Sequence, residues 1–178
     1  MPGPVFLPGT TIDLHTIEEE DLAFLQRVIN DPDVWISLGR VSPATAKEER
    51  DFYENVVHAG TEEHLLVCVD SSPVGIIGLH DINPHWGTAE IGYFLDQAAH
   101  GNGYATDAVQ VLTDYAFNQR RLAKLIASVF AENTASQRVL EKNGFEEEGR
   151  LEQYLYRNGK REDMCIYGKL ADRVSESD

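Results

Sequence analysis

Several things are scarce in this sequence. It holds two cysteines, Cys68 and Cys165, each inside an apolar run (LLVCV and MCIY). Two such residues make no disulfide framework and no thiolate metal cluster, so both read as buried, reduced thiols. No metal is expected. No apolar run is long enough to span a bilayer. The opening residues MPGPVFLPGT lack the basic and apolar regions of a secretory signal, so a cytoplasmic location away from membranes is expected. Positive charge is scarce too: 15 basic residues face 30 acidic ones, for a net charge of −15. A field of that sign repels phosphates and excludes general nucleic-acid binding.

What remains is an ordinary globular composition. The 178 residues suit a single domain, 1–178, with a core from about residue 10 to 171. The acids fall in most exposed-looking segments (EEED, KEERD, EEE, SESD) rather than in one patch. Two origins fit them. One is a solvated surface tuned to high salt, as in a halophile, where screening weakens self-repulsion. The other is an acidic channel for a cationic substrate. Their spread favours the first.

Along the chain, Thr11 to His15 alternates as a first strand. Thr16 and Glu19 have capping-box spacing, which predicts a helix to about Ile29, stopped by Asp31-Pro32-Asp33. A short helix at Val34 to Leu38 follows. Ser42-Pro43 opens another, to about Ala59, with Pro at its first position. His64 to Val69 and Val74 to Leu79 read as a hairpin around Ser71-Ser72-Pro73. Asp81 to Thr88 reads as a loop, and Ala89 to Leu95 as a strand. A helix from Gly103 to Asn118 puts Ala105, Ala108, Val109, Leu112 and Ala116 on one face. Then come a strand (Lys124 to Phe130), a short helix (Ala135 to Asn143) stopped by Gly144, and two strands (Arg150 to Tyr156, Met164 to Leu170) around Asn158-Gly159. The order predicts a mixed α/β fold: an antiparallel meander, a βαβ unit and a closing hairpin.

The most informative stretch is HGNGYATDAVQVLTDYAF, His100 to Phe117. It places Gly101, Gly103 and Ala105 between a strand and a helix. Such a turn offers backbone N–H groups to a phosphate: glycine allows close approach, and the helix dipole adds positive potential. A second cluster, NTASQRVLEKNGF from Asn133 to Phe145, follows the next strand.

These blocks together resemble the GNAT superfamily of N-acetyltransferases, and within it the Rim-type branch that acetylates ribosomal-protein N-termini. The matching residues are Glu90-Ile91-Gly92-Tyr93, then Gly101-Asn102-Gly103-Tyr104-Ala105-Thr106-Asp107-Ala108, then Asn133, Ser136, Arg138 to Lys142, Gly144 and Phe145. The resemblance implies a mostly antiparallel sheet with a splayed central strand pair and flanking helices. It implies acetyl-coenzyme A as cosubstrate and no metal. The pyrophosphate would rest on the turn from Gly101 to Thr106. Backbone groups of Tyr93, Phe94 and Leu95 would pair with the pantetheine arm, and Asn133 would reach it from the neighbouring strand end. The family's turn usually begins with Gln or Arg. Here His100 stands there, and the charge of an imidazole depends on pH.

The implied reaction is attack of a neutral amine on a thioester. It needs a base, an oxyanion donor and an acid for the leaving thiolate. The resemblance implies a backbone N–H near Phe94 or Leu95 as oxyanion donor. Many GNAT enzymes carry a Tyr acid where this chain has Leu140. The Rim-type branch often has a Ser one turn earlier, and Ser136 matches it. Two readings of Ser136 stand: the acid, or a helix-terminal residue bonded to backbone. Glu90 is the first choice of base, through a water, against the reading of a strand carboxylate paired with a neighbouring base. His80 and Glu152 are weaker candidates. Trp35, Trp86 and Tyr154 are candidate walls of an acceptor pocket shaped by the loops at Val34 to Pro43, Asp81 to Thr88 and Tyr154 to Arg161.

Three functions therefore compete: acetylation of a protein or peptide N-terminal amine, acetylation of a small amine (polyamine, aminosugar or antibiotic), and coenzyme A binding without efficient turnover. Homodimers are common in the branch, so a homodimer is open to this chain.

Overall fold

The elements, in a computed structural model describing residues 2–157 and 159–172, follow the predicted order with shifted boundaries. They are β1 (Val5–Pro8), β2 (Asp13–His15), α1 (Leu22–Ile29), α2 (Pro32–Ser37), α3 (Ala46–Phe52), β3 (Glu63–Val69), β4 (Ser72–Asn83), β5 (Thr88–Leu95), α4 (Tyr104–Asn118), β6 (Lys124–Phe130), α5 (Thr134–Lys142), β7 (Glu146–Arg157) and β8 (Lys160–Leu170). The eight strands join one sheet in the order β1-β2-β3-β4-β5-β6-β8-β7. Every neighbouring pair is antiparallel except β5 and β6, which run parallel and are linked through α4. That crossover is the βαβ unit read from the sequence.

Both faces of the sheet are covered. On one, the buried α4 side chains Ala108, Val109, Leu112 and Ala116 pack with Ile77, Leu79, Ile91, Leu125 and Tyr167 from the strands and Leu140 from α5. On the other, Leu22 and Leu25 of α1 pack on Leu66, Cys68 and Ile76. Truncating a fully buried leucine such as Leu112 would cost about 2–5 kcal/mol. Both cysteines are buried and unpaired. Burial pushes the Cys68 thiol up to about 12 and raises Cys165 as well, as expected of inert core thiols.

Several local expectations need correction. β1 was missed, and the first expected strand is confined to β2. The N–H groups of Thr10, Thr11 and Ile12 bond instead to the Asp107 carboxylate at the start of α4. The capping box forms between Glu18 and Asp21 and opens a short 3-10 turn at Glu19–Asp21. Thr16 uses its hydroxyl to donate to Glu18 Oε1. Asp31 does more than stop α1: it caps α2, with Pro32 at the first position. The helix expected from Pro43 starts at Ala46, because Thr45 and Glu48 form a reciprocal capping box. It then relaxes into a π-type turn over Tyr53–Val57.

The β3–β4 turn is Asp70-Ser71, both at positive φ (47° and 61°), a tight two-residue hairpin turn that lets Ser72 and Pro73 enter β4. The expected loop at Asp81 to Thr88 is half strand. β4 runs to Asn83, whose Oδ1 accepts from the His85 and Trp86 N–H groups to make the turn. β7 begins four residues earlier than expected and carries a bulge between Leu151 and Leu155. Asn158 of the expected closing turn lies outside the described residues.

Candidate active site

β5 and β6 pair only at Thr88↔Lys124, Ala89↔Leu125 and Glu90↔Ile126. Beyond that point β5 stays with β4 as far as Leu95, and β6 stays with β8 as far as Phe130. The two strands part because each keeps a different antiparallel partner. The edge of β5 facing β6 from Ile91 onward therefore carries backbone groups without a ladder partner, a place for an extended chain to add. A cavity of about 780 Å³ opens along this gap.

The far side of the gap is α5. Asn133 caps that helix, its Oδ1 accepting from the Ser136 N–H at 3.1 Å, which leaves its amide NH₂ to donate. Ser136 is half-buried, and its carbonyl accepts from the Tyr93 hydroxyl at 3.3 Å. Burial pushes the Tyr93 phenol up to about 12, so it stays a neutral donor. Asn133, Ser136 and Tyr93 all line the cavity, as do Phe94 and Leu95. Leu140 lines it too, fully buried and without a hydroxyl to offer.

At one end of the gap lies the glycine turn. Gly101 and Gly103 sit at φ of 80° and 83°, a region that favours glycine, and a Cβ at either would stand in open space with nothing within 4 Å. The first bond of α4 runs from the Asp107 N–H to the Gly103 carbonyl. The N–H groups of Tyr104, Ala105 and Thr106 precede it and have no helical acceptor. His100, Gly101, Gly103, Tyr104, Ala105 and Thr106 border the cavity. Arg138 and Lys142 of α5 border it as well and supply the cationic charge that a pyrophosphate needs; the sequence reading gave them no role. The turn, the free strand edge and these cations fit an extended, phosphate-bearing thioester.

Two turn residues do less than expected with their side chains. His100 Nε2 lies 3.2 Å from the Leu95 carbonyl, folding the ring back on the strand. Asn102 donates to the Ala99 and His100 carbonyls and does not line the cavity. Both side chains bond within the loop or to the strand that enters it.

At the other end, α2 and the β7–β8 strands enclose the space. Arg157 lines it, with Nη1 donating to the Ile36 carbonyl at 2.8 Å, a charge pair to buried Glu162, and its guanidinium 4.3 Å over the Phe130 ring. Asp33 and Glu132 stand at the same end. The walls expected of Trp35, Trp86 and Tyr154 are absent: all three are exposed and none borders the cavity, because Phe94, Phe130 and Met164 fill that role. Glu90 is half-buried and does not line the cavity. Gly92 and Phe94, on the same face of β5, do. Glu152 is exposed on the β7 bulge, and His80 is engaged by Glu62.

Comparison with known proteins agrees with this geometry. A family model described as an acetyltransferase (GNAT) domain matches residues 12–146. The chain is 33% identical over 157 residues to the probable N-acetyltransferase YjcK of Bacillus subtilis, covering 86% of this chain and 84% of that one. It is 26% identical over 168 residues to the ribosomal-protein-serine acetyltransferase of Escherichia coli, covering 91% and 94%. The structure of spermidine N-acetyltransferase from Vibrio cholerae in complex with CoA and spermine superposes with a TM-score of 0.85 at 24% identity, covering 90% of this chain and 95% of that one, a likeness of fold. A parting β5–β6 pair closed by a glycine turn thus has a family to go with it, and the chain belongs to the GNAT acetyltransferases.

Proposed function

We infer that this acyltransferase moves the acetyl group of acetyl-coenzyme A to a primary amine, and that the amine is the N-terminus of a protein or peptide. The single observation that carries the acetyl-coenzyme A part is the gap between β5 and β6. It is a slot with a free backbone edge along one side, Asn133 and Ser136 on the other, and unbonded helix N–H groups at one end. The pyrophosphate rests on the N–H groups of Gly101 to Thr106, with Arg138 and Lys142 nearby. The pantetheine arm pairs with Tyr93, Phe94 and Leu95 and accepts from the Asn133 amide.

The neutral amine attacks the thioester carbonyl carbon. Charge developing on the carbonyl oxygen is met by a backbone N–H near Phe94 or Leu95. As the C–S bond breaks, the Ser136 hydroxyl gives the sulfur a proton and takes one back from water, so that the proton the amine releases balances the one the thiol gains. The proton lost by the amine passes through water to Glu90, whose face of β5 leads into the cavity by way of Gly92 and Phe94. Leu140 offers no phenol, so no tyrosine acid acts from that position.

The peptide acceptor is supported by the likeness to the ribosomal-protein-serine acetyltransferase over nine-tenths of the chain. A second reading, a small polyamine, is favoured by Asp33 and Glu132 at the acceptor end and by the net charge of −15. The test is free-thiol release from acetyl-coenzyme A with two acceptor sets: short peptides with free Ser or Ala N-termini, and spermidine or spermine. Higher kcat/KM on the peptides supports the first reading. Higher kcat/KM on the polyamines replaces it with the second.

A further inference from the structure

Behind the β5 strand that lines the transfer cavity, three side chains converge at the base of the β3–β4 hairpin. Glu62 immediately precedes β3, His64 lies within it, and His80 lies near the end of β4. His64 stands opposite Gly78, two residues before His80, so the register puts both imidazoles on one face of the sheet. Glu62 Oε2 is 2.8 Å from His64 Nε2 and 3.3 Å from His80 Nδ1. One donor atom from each of the three lies within 4.8 Å of the others. Around tetrahedral zinc, with bonds near 2.0–2.1 Å, neighbouring donor atoms stand about 3.3 Å apart. The two contacts of Glu62 already lie near that spacing, and the two imidazoles must close from within 4.8 Å.

The surroundings hold these rings in place. A Cβ on Gly78 would lie 2.7 Å from His64 Nδ1, and one on Gly92 would lie 2.8 Å from His80 Nε2; glycine at both positions makes room for the imidazoles. Phe52 packs edge-on against His64 at 4.9 Å between centroids. The Glu62 and His80 side chains are 27% and 36% exposed, which leaves a path in and a side open to water. The negative field of the chain concentrates cations at such a site.

We propose that Glu62, His64 and His80 bind a divalent transition-metal ion, zinc(II) by ligand type, at a site that adjoins the acetyl-transfer cavity, since His80 stands opposite Glu90 across β4 and β5. None of the three lines that cavity. Binding takes His64 Nε2 and His80 Nδ1 as ligands, so the hydrogens they now donate to Glu62 move to the other ring nitrogens as the tautomers switch. The bound ion would tie the segment before β3 to the end of β4.

The test uses the full chain, stripped with a chelator and titrated with zinc(II) by calorimetry. One equivalent should bind and raise the melting temperature, because an ion that binds the folded state stabilises it. Glu62→Gln and His80→Ala should each lower the affinity by at least about tenfold, the scale on which altered metal shells act. His85→Ala, at an exposed histidine outside the cluster, should leave it unchanged. Absence of saturable uptake, or variants of Glu62 and His80 that bind like the wild type, would overturn the proposal. Should those variants fail to fold, cobalt(II) in the wild type decides. Intense visible bands of a four-coordinate ion support the site, and the weak bands of an octahedral aquo ion overturn it.

Discussion

The Tyr93 hydroxyl donates to the Ser136 carbonyl across 3.3 Å, joining β5 to the first turn of α5 where the sheet has opened. The bond spans the slot without closing it. It fixes the helix end that presents the Ser136 hydroxyl, while the cap from Asn133 fixes the same turn from the other side. The site is thus held by two hydrogen bonds that leave the Ser136 hydroxyl out of the arrangement.

That geometry predicts the behaviour of Ser136→Ala. Turnover at saturating substrate should fall at least about tenfold, or about 1.4 kcal/mol of transition-state stabilisation. The dissociation constant for coenzyme A should change far less. Steady-state kinetics beside calorimetry measures both. A variant with wild-type kcat would reduce Ser136 to a residue of the helix end and leave water as the acid.

Asp107 predicts an acid-sensitive clamp. One carboxylate oxygen accepts from the Thr10, Thr11 and Ile12 N–H groups and from the Thr11 hydroxyl, pinning the turn after β1 to the start of α4. Burial works against its charge, but the bonds from Thr11, Thr10 and Ile12 outweigh it and hold the carboxyl below its ordinary value. The folded pKa is depressed, so this stability is complete above the unfolded value of about 3.9 and is lost as pH falls through the folded value. Asp107→Ala should cost about 2 kcal/mol near neutral pH, the scale of a charged hydrogen bond. That difference should shrink below about pH 4. Urea denaturation at a series of pH values checks it; a pH-independent difference would contradict the clamp.

Much of this was legible in the sequence, and the lapses share a cause. Lys124 to Phe130 was read at its observed bounds, because apolar alternation and local turn chemistry specify it. The glycine turn was legible for a similar reason: Gly101 and Gly103 occupy positions whose φ only glycine adopts readily. β1 was not, because Val5 to Pro8 is short, exposed and paired only at the sheet edge. Pro43 looked like a helix start, but the reciprocal bonds of Thr45 and Glu48 decide where the helix begins. Trp86 and Tyr154 look like pocket walls in the sequence, yet Trp86 sits in the β4–β5 turn and Tyr154 on β7, where the fold leaves both exposed. The Glu62, His64 and His80 cluster was likewise out of reach, since only the β3–β4 register joins residues 18 apart.

The dispersed acids predict a response to salt. With a net charge of −15, self-repulsion should ease as the Debye length falls from about 10 Å at 0.1 M to about 3 Å at 1 M. The melting temperature should rise steadily into molar potassium chloride, and activity should persist. A melting temperature indifferent to salt, with a KM for the amine that rises steeply, would point instead to acids that gather a cationic acceptor.

The central claim is that acetyl-coenzyme A occupies the gap between β5 and β6 with its pyrophosphate on the glycine turn. Calorimetric titration of coenzyme A into the wild type and Gly103→Val tests it most directly, with circular dichroism to establish that the variant is folded. The added side chain projects into the open space beside the free N–H groups of Tyr104 to Thr106. Affinity should fall at least about tenfold, or about 1.4 kcal/mol. A folded variant that binds coenzyme A as tightly as the wild type would contradict the account.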